Sequence, residues 1–344
     1  MQVKELTENR FSDWDEFVDE HAQGKIYHKT VWKKIFERAF GRKTLYYFVE
    51  NEQGKIVGIL PLVHFHTFMA GKQIVSLPYV NYGAPLWQDG NVKNLILEQM
   101  HTVLQKTDSH VLELRHDQPG AFDLPVKTSK VTFYLDLPET ADALLKSFKA
   151  KVRSQIKRPT KEGMYVKRGH LDLLDDFYFV FCRNMRDLGT PVYAKEIFRI
   201  ILSLLPEQTH IVVVYSKDHL PVASAFLLGY KQQMEIPWAS SLRKFNRFSP
   251  NMLLYWEVLK LSIEKKYKIF DFGRGTKDGG TYRFKKQWGG REIQLYWYYL
   301  LGERGQLPEL AKENPKFELA IKIWRKLPLW FTNLVGPSIV KNIP

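Results

Sequence analysis

The sequence is poor in features that would place a protein outside the cell or across a membrane. Its 344 residues include one cysteine, Cys182, which excludes an internal disulfide, and no group of Cys and His residues has zinc-ligand spacing. There is no apolar run of about 18 residues, and the charged stretch 1–10 lacks the apolar core of a signal peptide. We therefore expect a cytoplasmic protein with no metal and no tightly bound cofactor, in which Cys182 is a buried, small apolar residue.

Acidic residues are scarce relative to basic ones, so the formal net charge is +14. Hydrophobic residues make up 44% and charged residues 26% of the chain, which is typical of a globular protein. The length favours about two domains. A basic balance suits an anionic partner, whether a nucleic acid, a phosphate-bearing substrate or an acidic membrane surface, and it does not choose between them.

Period-2 and period-3.6 segments alternate along the chain, which predicts an α/β (α+β) fold. The order helix, helix, three antiparallel strands, helix, strand occurs twice, with strands at 72–79 and 231–238 as one matching pair, so we predict a duplication. The order resembles that of the GNAT acyltransferase unit, in which the acyl donor lies where a central strand splays from its neighbour. The predicted helices are 12–21, 29–40, 91–106, 171–188, 194–204 and 250–266, and the other strands are 44–50, 55–65, 110–115, 209–216, 221–230 and 268–272.

These boundaries give three segments. The first is an N-terminal GNAT-like domain at 1–135, and the second is a C-terminal GNAT-like domain at 136–305, each a mostly antiparallel sheet flanked by helices. The third is a basic and aromatic tail at 306–344. Its basic and aromatic side chains could rest on an anionic membrane surface, or the tail could be a terminal helix docked on the second domain. Pro328 and Pro337 argue against one long helix.

The most basic segment is 151–168, which carries seven basic residues and one acid. On a helix, the apolar residues Val152 and Ile156 share one face and the basic residues line an adjacent one, while Pro159 should kink or end the helix. The segment could face phosphates of a transfer RNA or of a nucleotide-linked substrate, or it could be a solvated surface. The candidate phosphate-binding residues here are Arg153, Lys157, Arg158 and Lys161.

A second basic segment, 240–251, contains Arg243 and Arg247 just ahead of a predicted helix. Ser249 is a good N-cap and Pro250 suits the first helical position. The helix N-terminus offers free N–H groups and a positive dipole end to an anionic donor. The glycine-rich turn that holds the pyrophosphate in acetyl-coenzyme A enzymes is absent, which counts against coenzyme A as the donor.

The candidate catalytic residues lie in two neighbouring segments, 271–275 and 281–289. Glycines follow a predicted strand there, at the kind of sheet edge where ligands bind. Lys285 could stabilise an oxyanion or an anionic leaving group, Tyr282 could donate a hydrogen bond, and Asp271 ends the strand. The alternatives are core packing for Tyr282, strand-end hydrogen bonding for Asp271 and a surface position for Lys285. Gly273 and Arg274 are candidate substrate-binding residues.

Two aromatic strand ends are the last candidates. Tyr79, Asn81 and Tyr82 follow the third strand of the first half, and Trp238 and Ser240 end the third strand of the second. They could line an acceptor groove, or they could serve only local packing and turn formation. No nucleophilic catalytic motif or phosphate loop is present. This is compatible with an amine attacking an activated ester, because positioning and charge stabilisation can carry the rate of that reaction.

Nine stretches between residues 26 and 300 carry a family resemblance. They are, in order, IYHKTVW, VSLPYVNYGAP, LELRH, KAKVRSQIKRPTKEG, NMRDLGTPVY, EIPWASSLR, SPNMLLYWE, FDFGR and YRFKKQWGG. The sequence resembles the FemAB family of peptidoglycan-bridge aminoacyltransferases, and most closely its branch associated with exosortase/PEP-CTERM loci. The long helical-hairpin arm of some members is absent.

The resemblance implies two fused GNAT-like domains that transfer an aminoacyl group from aminoacyl transfer RNA to an amine of a cell-wall precursor. The family's phenylalanine–lysine element falls on Phe284 and Lys285, and His28 of IYHKTVW is a further candidate substrate-binding residue. The branch's association with exopolysaccharide genes leaves a sugar amine or a protein amine open as the acceptor. The alternatives are a coenzyme A-dependent N-acetyltransferase, with acetyl-CoA as cosubstrate, and a non-catalytic basic module for RNA or polysaccharide. The chain could be a monomer or a dimer.

Overall fold

The computed structural model of the protein describes residues 1–67, 71–303, 305–307 and 315–343. The chain forms two compact units. Unit 1 comprises residues 1–130, 294–309 and 342–344, and unit 2 comprises residues 131–293 and 310–341. Each unit holds a mixed sheet flanked by helices, which confirms the predicted α/β (α+β) fold class.

Unit 1 is built on one sheet whose described strands follow the order β1-β2-β3-β4-β6-β16-β7, with β5 paired to β3. The bounds are β1 Gln2–Glu5, α1 Phe11–Glu20, α2 Thr30–Phe40, β2 Lys43–Glu50, β3 Ile56–Thr67, β4 Gly71–Val75, β5 Leu86–Trp87, α3 Gly90–Lys106, β6 Val111–His116, β7 Val126–Lys127 and β16 Tyr296–Leu301. Strands β2 and β3 form an antiparallel hairpin. The Asn51 side chain accepts hydrogen bonds from the N–H groups of Gln53 and Lys55 in its turn, where Gly54 has a φ of 76°.

Unit 2 is built on a second sheet whose described strands follow the order β14-β8-β13-β12-β11-β10-β9, with β15 paired to β8. Its strands are β8 Lys130–Asp136, β9 Tyr165–Gly169, β10 Thr209–Tyr215, β11 Pro221–Tyr230, β12 Gln233–Ser241, β13 Ile269–Asp271, β14 Gly275–Thr276 and β15 Arg291–Gln294. Its helices are α4 Ala141–Ser147, α5 Ala150–Lys161, α6 Leu174–Leu188, α7 Lys195–Leu204, α8 Pro250–Glu264, α9 Gly280–Lys286, α10 Pro315–Trp324 and α11 Leu329–Val340.

Strands β8 and β16 each pair with a sheet on the other side of the predicted boundaries at 135 and 305. Strand β8 begins at Lys130 and pairs antiparallel with β13 in unit 2. Strand β16, which lies within the segment 136–305, pairs antiparallel with β6 in unit 1. Local alternation of apolar and polar residues indicates a strand but does not name its partner, so a crossing of this kind cannot be seen in the pattern.

The match between strands 72–79 and 231–238 is displaced by one residue. Ile74 pairs with Leu112 in the core beneath α3, and Met234 pairs with Phe270 in the core beneath α8. Ile74 therefore corresponds to Met234, whereas the predicted match set it against Gln233. A slip of one residue would turn every side chain to the other face of the sheet. The corrected register makes Glu113 of unit 1 the counterpart of Asp271, and Arg115 the counterpart of Gly273.

Two local predictions in unit 2 hold only in part. Ser249 adopts a left-handed φ of 61° and makes no capping hydrogen bond from its side chain, although Pro250 does open α8. Helix α5 does not end at Pro159, which is buried within it, but runs on to Lys161. The proline carbonyl accepts hydrogen bonds from the N–H groups of Glu162 and Met164 and so closes the helix just beyond.

Candidate functional site

The centre of unit 2 is the place where two parallel strands part. Strands β12 and β13 pair over three residues and end their ladder at Glu235 and Asp271. Beyond this point the N–H of Phe272 bonds to the carbonyl of Phe133 in β8, while β12 continues along β11 to Ser241. The two strands therefore part here. We call the place where they part the gap, and the segment that carries the FDFGR sequence lies at its base.

Asp271 is fully buried and holds the base of this gap in shape. Its carboxylate accepts hydrogen bonds from the hydroxyl of Thr132 at 2.5 Å and from the N–H of Gly273 at 2.8 Å. The side-chain amide of Gln233 donates to its other oxygen at 3.0 Å. These contacts match the strand-end interpretation of Asp271. Gly273 has a φ of 70°, in the left-handed region that favours glycine.

Lys285 reaches this base from α9. Its side chain is buried, and Nζ donates to the carbonyl of Gly273 at 2.7 Å and to that of Arg274 at 3.0 Å. An ammonium group carries three N–H donors, and the described residues accept two of them. A surface position for Lys285, which was the alternative to a catalytic role, is therefore wrong.

Burial lowers the pKa of Lys285 to about 8. The negative charges of Asp271 and Glu235 favour the ammonium and oppose this effect, while Arg274 adds to it. At neutral pH the side chain is still mostly protonated. It therefore presents a positive charge in a water-poor setting, where electrostatic stabilisation is strong.

Tyr282 lies one turn before Lys285 in α9 and is buried. Its hydroxyl donates to a carboxylate oxygen of Glu292 at 2.5 Å, and this bond raises the pKa of Tyr282. Its ring makes an edge contact with Phe133 at 5.2 Å between centroids. Core packing, the predicted alternative, therefore describes the ring, and the hydroxyl is held by Glu292.

The predicted binding residues on β12 point to different environments. Trp238 is half-buried and packs edge-on against Phe198 and Phe226, with centroids 5.2 and 5.4 Å apart. Ser240 is buried, and its hydroxyl accepts a hydrogen bond from the side-chain amide of Asn184 at 3.1 Å. Trp238 thus retains an exposed edge, whereas Ser240 has a partner inside the unit.

The predicted phosphate-binding residues lie on two exposed surfaces of unit 2. Arg153 is the exception among them, since its guanidinium is half-buried and bonds to the carbonyl of Phe148 at 2.6 Å. The other basic side chains are exposed, and no carboxylate in the described part of the chain forms an ion pair with them. These exposed residues are Lys157, Arg158 and Lys161 of α5, and Arg243 and Arg247 of the 3-10 helix Arg243–Phe248 before α8.

The corresponding strand end of unit 1 is closed by its own loop. After Val75, the backbone N–H groups of Gly83 and Ala84 both donate to the carbonyl of Arg115, at 3.1 Å each. Tyr79 has a φ of 67° within this loop and stacks on Phe40 with centroids 4.0 Å apart. The loop thus returns to β6, whereas in unit 2 the chain after Glu235 continues along β11.

The remaining predicted residues of unit 1 are also buried: Asn81, Tyr82 and His28. His28 accepts the N–H of Lys25 at Nδ1, and its Nε2 lies 2.9 Å from the carbonyl of Ala84. Burial lowers the pKa of His28 to about 4, so the ring is neutral and its Nε2–H donates to that carbonyl. Both ring nitrogens are therefore engaged, and the bond from Nε2–H fixes the loop at Ala84.

A groove in unit 1 contains residues that the sequence analysis missed. It is formed by two adjoining cavities that share Gln23 and His116, and we call it the unit-1 groove. His116 ends β6 and is 4% exposed. Its Nδ1 accepts the N–H of Gln118 at 2.9 Å, which places the proton of the neutral ring on Nε2. No described residue accepts from that Nε2–H.

Charged and aromatic side chains surround His116 in the unit-1 groove. Lys25 lies 3.6 Å from a carboxylate oxygen of Asp117 and 5.3 Å from the ring centroid of Tyr82. The half-buried ring of Trp87 forms part of the wall. Buried donors without protein partners are rare. The one available signal in the sequence was the polar run that directly follows the strand of LELRH.

A family comparison supports the assignment of unit 2. Residues 146–286 match the model of a family described as an acetyltransferase (GNAT) domain. This range contains the base of the gap, α8 and Lys285. Residues 146–286 are therefore similar to a GNAT acetyltransferase domain, and this family match and the fold support an acyltransferase. No curated protein sequence matches the chain.

Solved structures show the same tandem GNAT-like fold across most of the chain. FemX has a TM-score of 0.63 at 15% identity, covering 87% of this chain and 98% of its own. L-PGS from Bacillus licheniformis has a TM-score of 0.52 at 14% identity, covering 86% and 96%. A tandem GNAT protein from the clavulanic acid biosynthesis pathway has a TM-score of 0.56 at 10% identity, covering 89% and 99%. Within the described ranges, none of the helices has both the length and the apolar character needed to cross a membrane.

Proposed function

We propose that the chain is an aminoacyltransferase that moves an aminoacyl group from aminoacyl transfer RNA to an amine of a cell-envelope or exopolysaccharide precursor. In this reaction the amine nitrogen attacks the ester carbonyl, the bond from that carbon to the ribose oxygen breaks, and an amide forms. The amine gives up a proton, and the ribose oxygen takes one. A transfer RNA donor would place the reaction in the cytoplasm.

The observation that carries the proposal is Lys285. Two of its three N–H donors are fixed by the carbonyls of Gly273 and Arg274, and the third can meet an oxygen of the reacting ester. The negative charge that develops on the carbonyl or ribose oxygen would be stabilised by a preoriented ammonium. No covalent intermediate is needed, because the ester is already activated.

The exposed basic side chains of unit 2 support a polyanionic donor. Lys157, Arg158 and Lys161 line one surface, and Arg243 and Arg247 precede α8. A nucleic acid gains affinity from cations that release its counterions, and none of these cations forms an ion pair with a carboxylate of the described residues. FemX and L-PGS, the structural relatives, are consistent with aminoacyl transfer as the type of reaction.

The unit-1 groove has the chemistry of a binding site for a sugar or a peptide. It offers three groups: the Nε2–H of His116, which no described residue accepts, the carboxylate of Asp117 as an acceptor and the ring of Trp87 as a flat apolar wall. Hydroxyl, amide and carboxylate oxygens of a sugar or peptide suit such a mixture. An acceptor of the exopolysaccharide setting, as the resemblance to the exosortase-associated branch implies, would carry these groups.

The test is an assay of donor consumption with purified protein. Transfer RNA charged with radiolabelled amino acids is incubated with amine-bearing precursors, including nucleotide-linked amino sugars and cell-wall peptides. We expect loss of the ester only in the presence of an acceptor, with the label recovered in an amide. Turnover of acetyl-CoA with the same acceptors would favour the coenzyme A-dependent alternative. Consumption of no donor would leave a non-catalytic basic module.

Substitution of Lys285 tests whether the buried lysine takes part in catalysis. Lys285→Met should lower turnover by about 10²–10³-fold, the usual cost of removing one donor to a developing oxyanion. The matched control is Lys286→Met, which changes the exposed neighbour in the same helix and should leave turnover unchanged. Circular dichroism and thermal unfolding of both variants would establish that the fold survives. Equal turnover in the two variants would contradict the assigned role of Lys285.

A further inference from the structure

Helices α10 and α11 carry an unusual share of exposed apolar surface. Six of the large apolar side chains that are exposed among the described residues lie within these two helices, and the largest exposed fractions are 69% for Trp330 and 70% for Leu334. The six are Leu319, Ile321, Ile323, Trp330, Leu334 and Ile339. Scattered exposed apolar residues are ordinary, whereas a concentration of this kind marks a contact surface.

Helix α11 is fixed to unit 2 by one face only. Thr332, Gly336 and Val340 recur every four residues and are buried. A Cβ at Gly336 would lie 2.9 Å from the backbone nitrogen of Val192, so the helix packs at backbone distance there. Trp330 and Leu334 lie on the opposite face, also four residues apart. Docking of the terminal helix on unit 2 therefore leaves its second apolar face uncovered.

Helix α10 is anchored in a similar way. A Cβ at Gly189 would lie 2.5 Å from Cγ2 of Ile321, and the guanidinium of Arg325 donates to the carbonyl of Leu188 at 3.2 Å. Leu319 and Ile323 remain 60% and 53% exposed. The two helices thus present their exposed apolar groups from a fixed backbone.

The charge around this apolar surface is almost entirely of one sign. Residues 318–341 contain four basic residues and a single acid, Glu318. Lys322 and Lys326 are exposed, and none of the described carboxylates pairs with either. Lysine side chains extend past apolar surface to reach anionic headgroups, and tryptophan prefers the boundary between lipid and water.

We propose that α10 and α11 form a docking surface for a bilayer that contains anionic lipid. The apolar side chains of Trp330, Leu334 and Ile323 enter the headgroup boundary, and Lys322 and Lys326 contact the phosphates. A second copy of the chain is a poorer occupant, because pairing two such surfaces would bring like charges together. The proposal is independent of the proposed acyl transfer, since it concerns binding to lipid without any substrate.

The test uses the full chain and sedimentation with vesicles of phosphatidylcholine, with and without about one third phosphatidylglycerol. We expect binding only to the anionic vesicles, and weakening of that binding by salt. Lys322→Gln with Lys326→Gln should weaken binding roughly thirtyfold, as expected from the usual contribution of two lysines at such a surface. Trp330→Ser with Leu334→Ser should weaken it at least about tenfold.

The matched control is Leu171→Ser, which removes an apolar side chain that is 46% exposed elsewhere in unit 2 and should leave vesicle binding unchanged. Three outcomes would overturn the proposal: no vesicle binding, equal binding to neutral and anionic vesicles, or equal loss in the Leu171 control. A dimer detected by light scattering that dissociates in the Trp330/Leu334 variant would likewise overturn it and assign the surface to a second copy.

Discussion

In unit 2 the residue two positions after the buried acid Asp271 is Gly273, and in unit 1 the residue two positions after the buried acid Glu113 is Arg115. Arg115 is 2% exposed; it donates to Glu113 at 2.8 Å and to the carbonyl of Val80 at 3.2 Å. The arginine thus ties the strand end of unit 1 to its own loop.

Gly273 of unit 2 has no side chain to fill the place that Arg115 fills in unit 1. Lys285 of α9 contacts this strand end instead. Lys285 bonds to the carbonyls of Gly273 and Arg274 and retains one N–H for a ligand. A repeated strand pair therefore serves two purposes. In unit 1 the cation is Arg115 of the strand itself, and it closes the strand end. In unit 2 the cation is Lys285 of α9, and one of its N–H donors has no acceptor among the described residues.

Of the changes that test this comparison, replacement of Arg115 is expected to have the largest effect, and the effect is on the stability of unit 1. Arg115→Met would leave Glu113 buried without its cation, which usually costs about 3–5 kcal/mol of unfolding free energy. Denaturant titration, with hydrogen exchange to assign the loss to unit 1, would measure it. The double variant Glu113→Leu/Arg115→Met should recover most of the loss because both charges are gone. A loss below about 1 kcal/mol in the single variant would mean that the pair does not stabilise the strand end.

The pH dependence of turnover should report only the cation of unit 2. Because burial lowers the pKa of Lys285 to about 8, the active ammonium is present below that pH and is lost as pH rises through it. We expect kcat/KM to fall about tenfold per pH unit above that value. An arginine stays protonated at these pH values, so Lys285→Arg should remove the fall even if its rate is low. A descending limb that persists in this variant would assign the titration to another group.

The sequence predicted the main helices and strands in the right order, because the spacing of apolar residues within each segment indicates a helix or a strand. The helices that cover the two matching strand pairs, α3 at Gly90–Lys106 in unit 1 and α8 at Pro250–Glu264 in unit 2, differ from their predicted ranges by two residues or fewer at either end. Long periodic segments are the part of a fold that a single sequence reveals most clearly. The tandem GNAT-like architecture followed from that order and from the family resemblance.

The sequence could not reveal which strands pair across the predicted domain boundaries or which polar groups are buried. Strand β16 joins β6 from far along the chain, and nothing in the residues Tyr296–Leu301 names that partner. Burial also separates Lys285 from its exposed neighbour Lys286, two lysines that are adjacent in sequence. His116 was missed because a histidine at a strand end is common, and only the coordinates show that its Nε2–H lacks an acceptor among the described residues.

The smallest expected effect is at His116, and it would test whether unit 1 binds ligand at all. His116→Phe keeps a ring in the unit-1 groove and removes the Nε2–H, which has no acceptor among the described residues. If that N–H donates to the acceptor substrate, its loss should raise KM for the acceptor roughly two- to tenfold, the effect of about 0.5–1.5 kcal/mol, and leave kcat unchanged. Steady-state kinetics with the acceptor varied would measure this.

Nitrogen-15 NMR of the wild-type histidine should show a neutral ring with the proton on Nε2, because burial lowers the pKa of His116. A fall in kcat at constant KM would instead place His116 near the chemistry, and unit 1 would then be more than a binding unit.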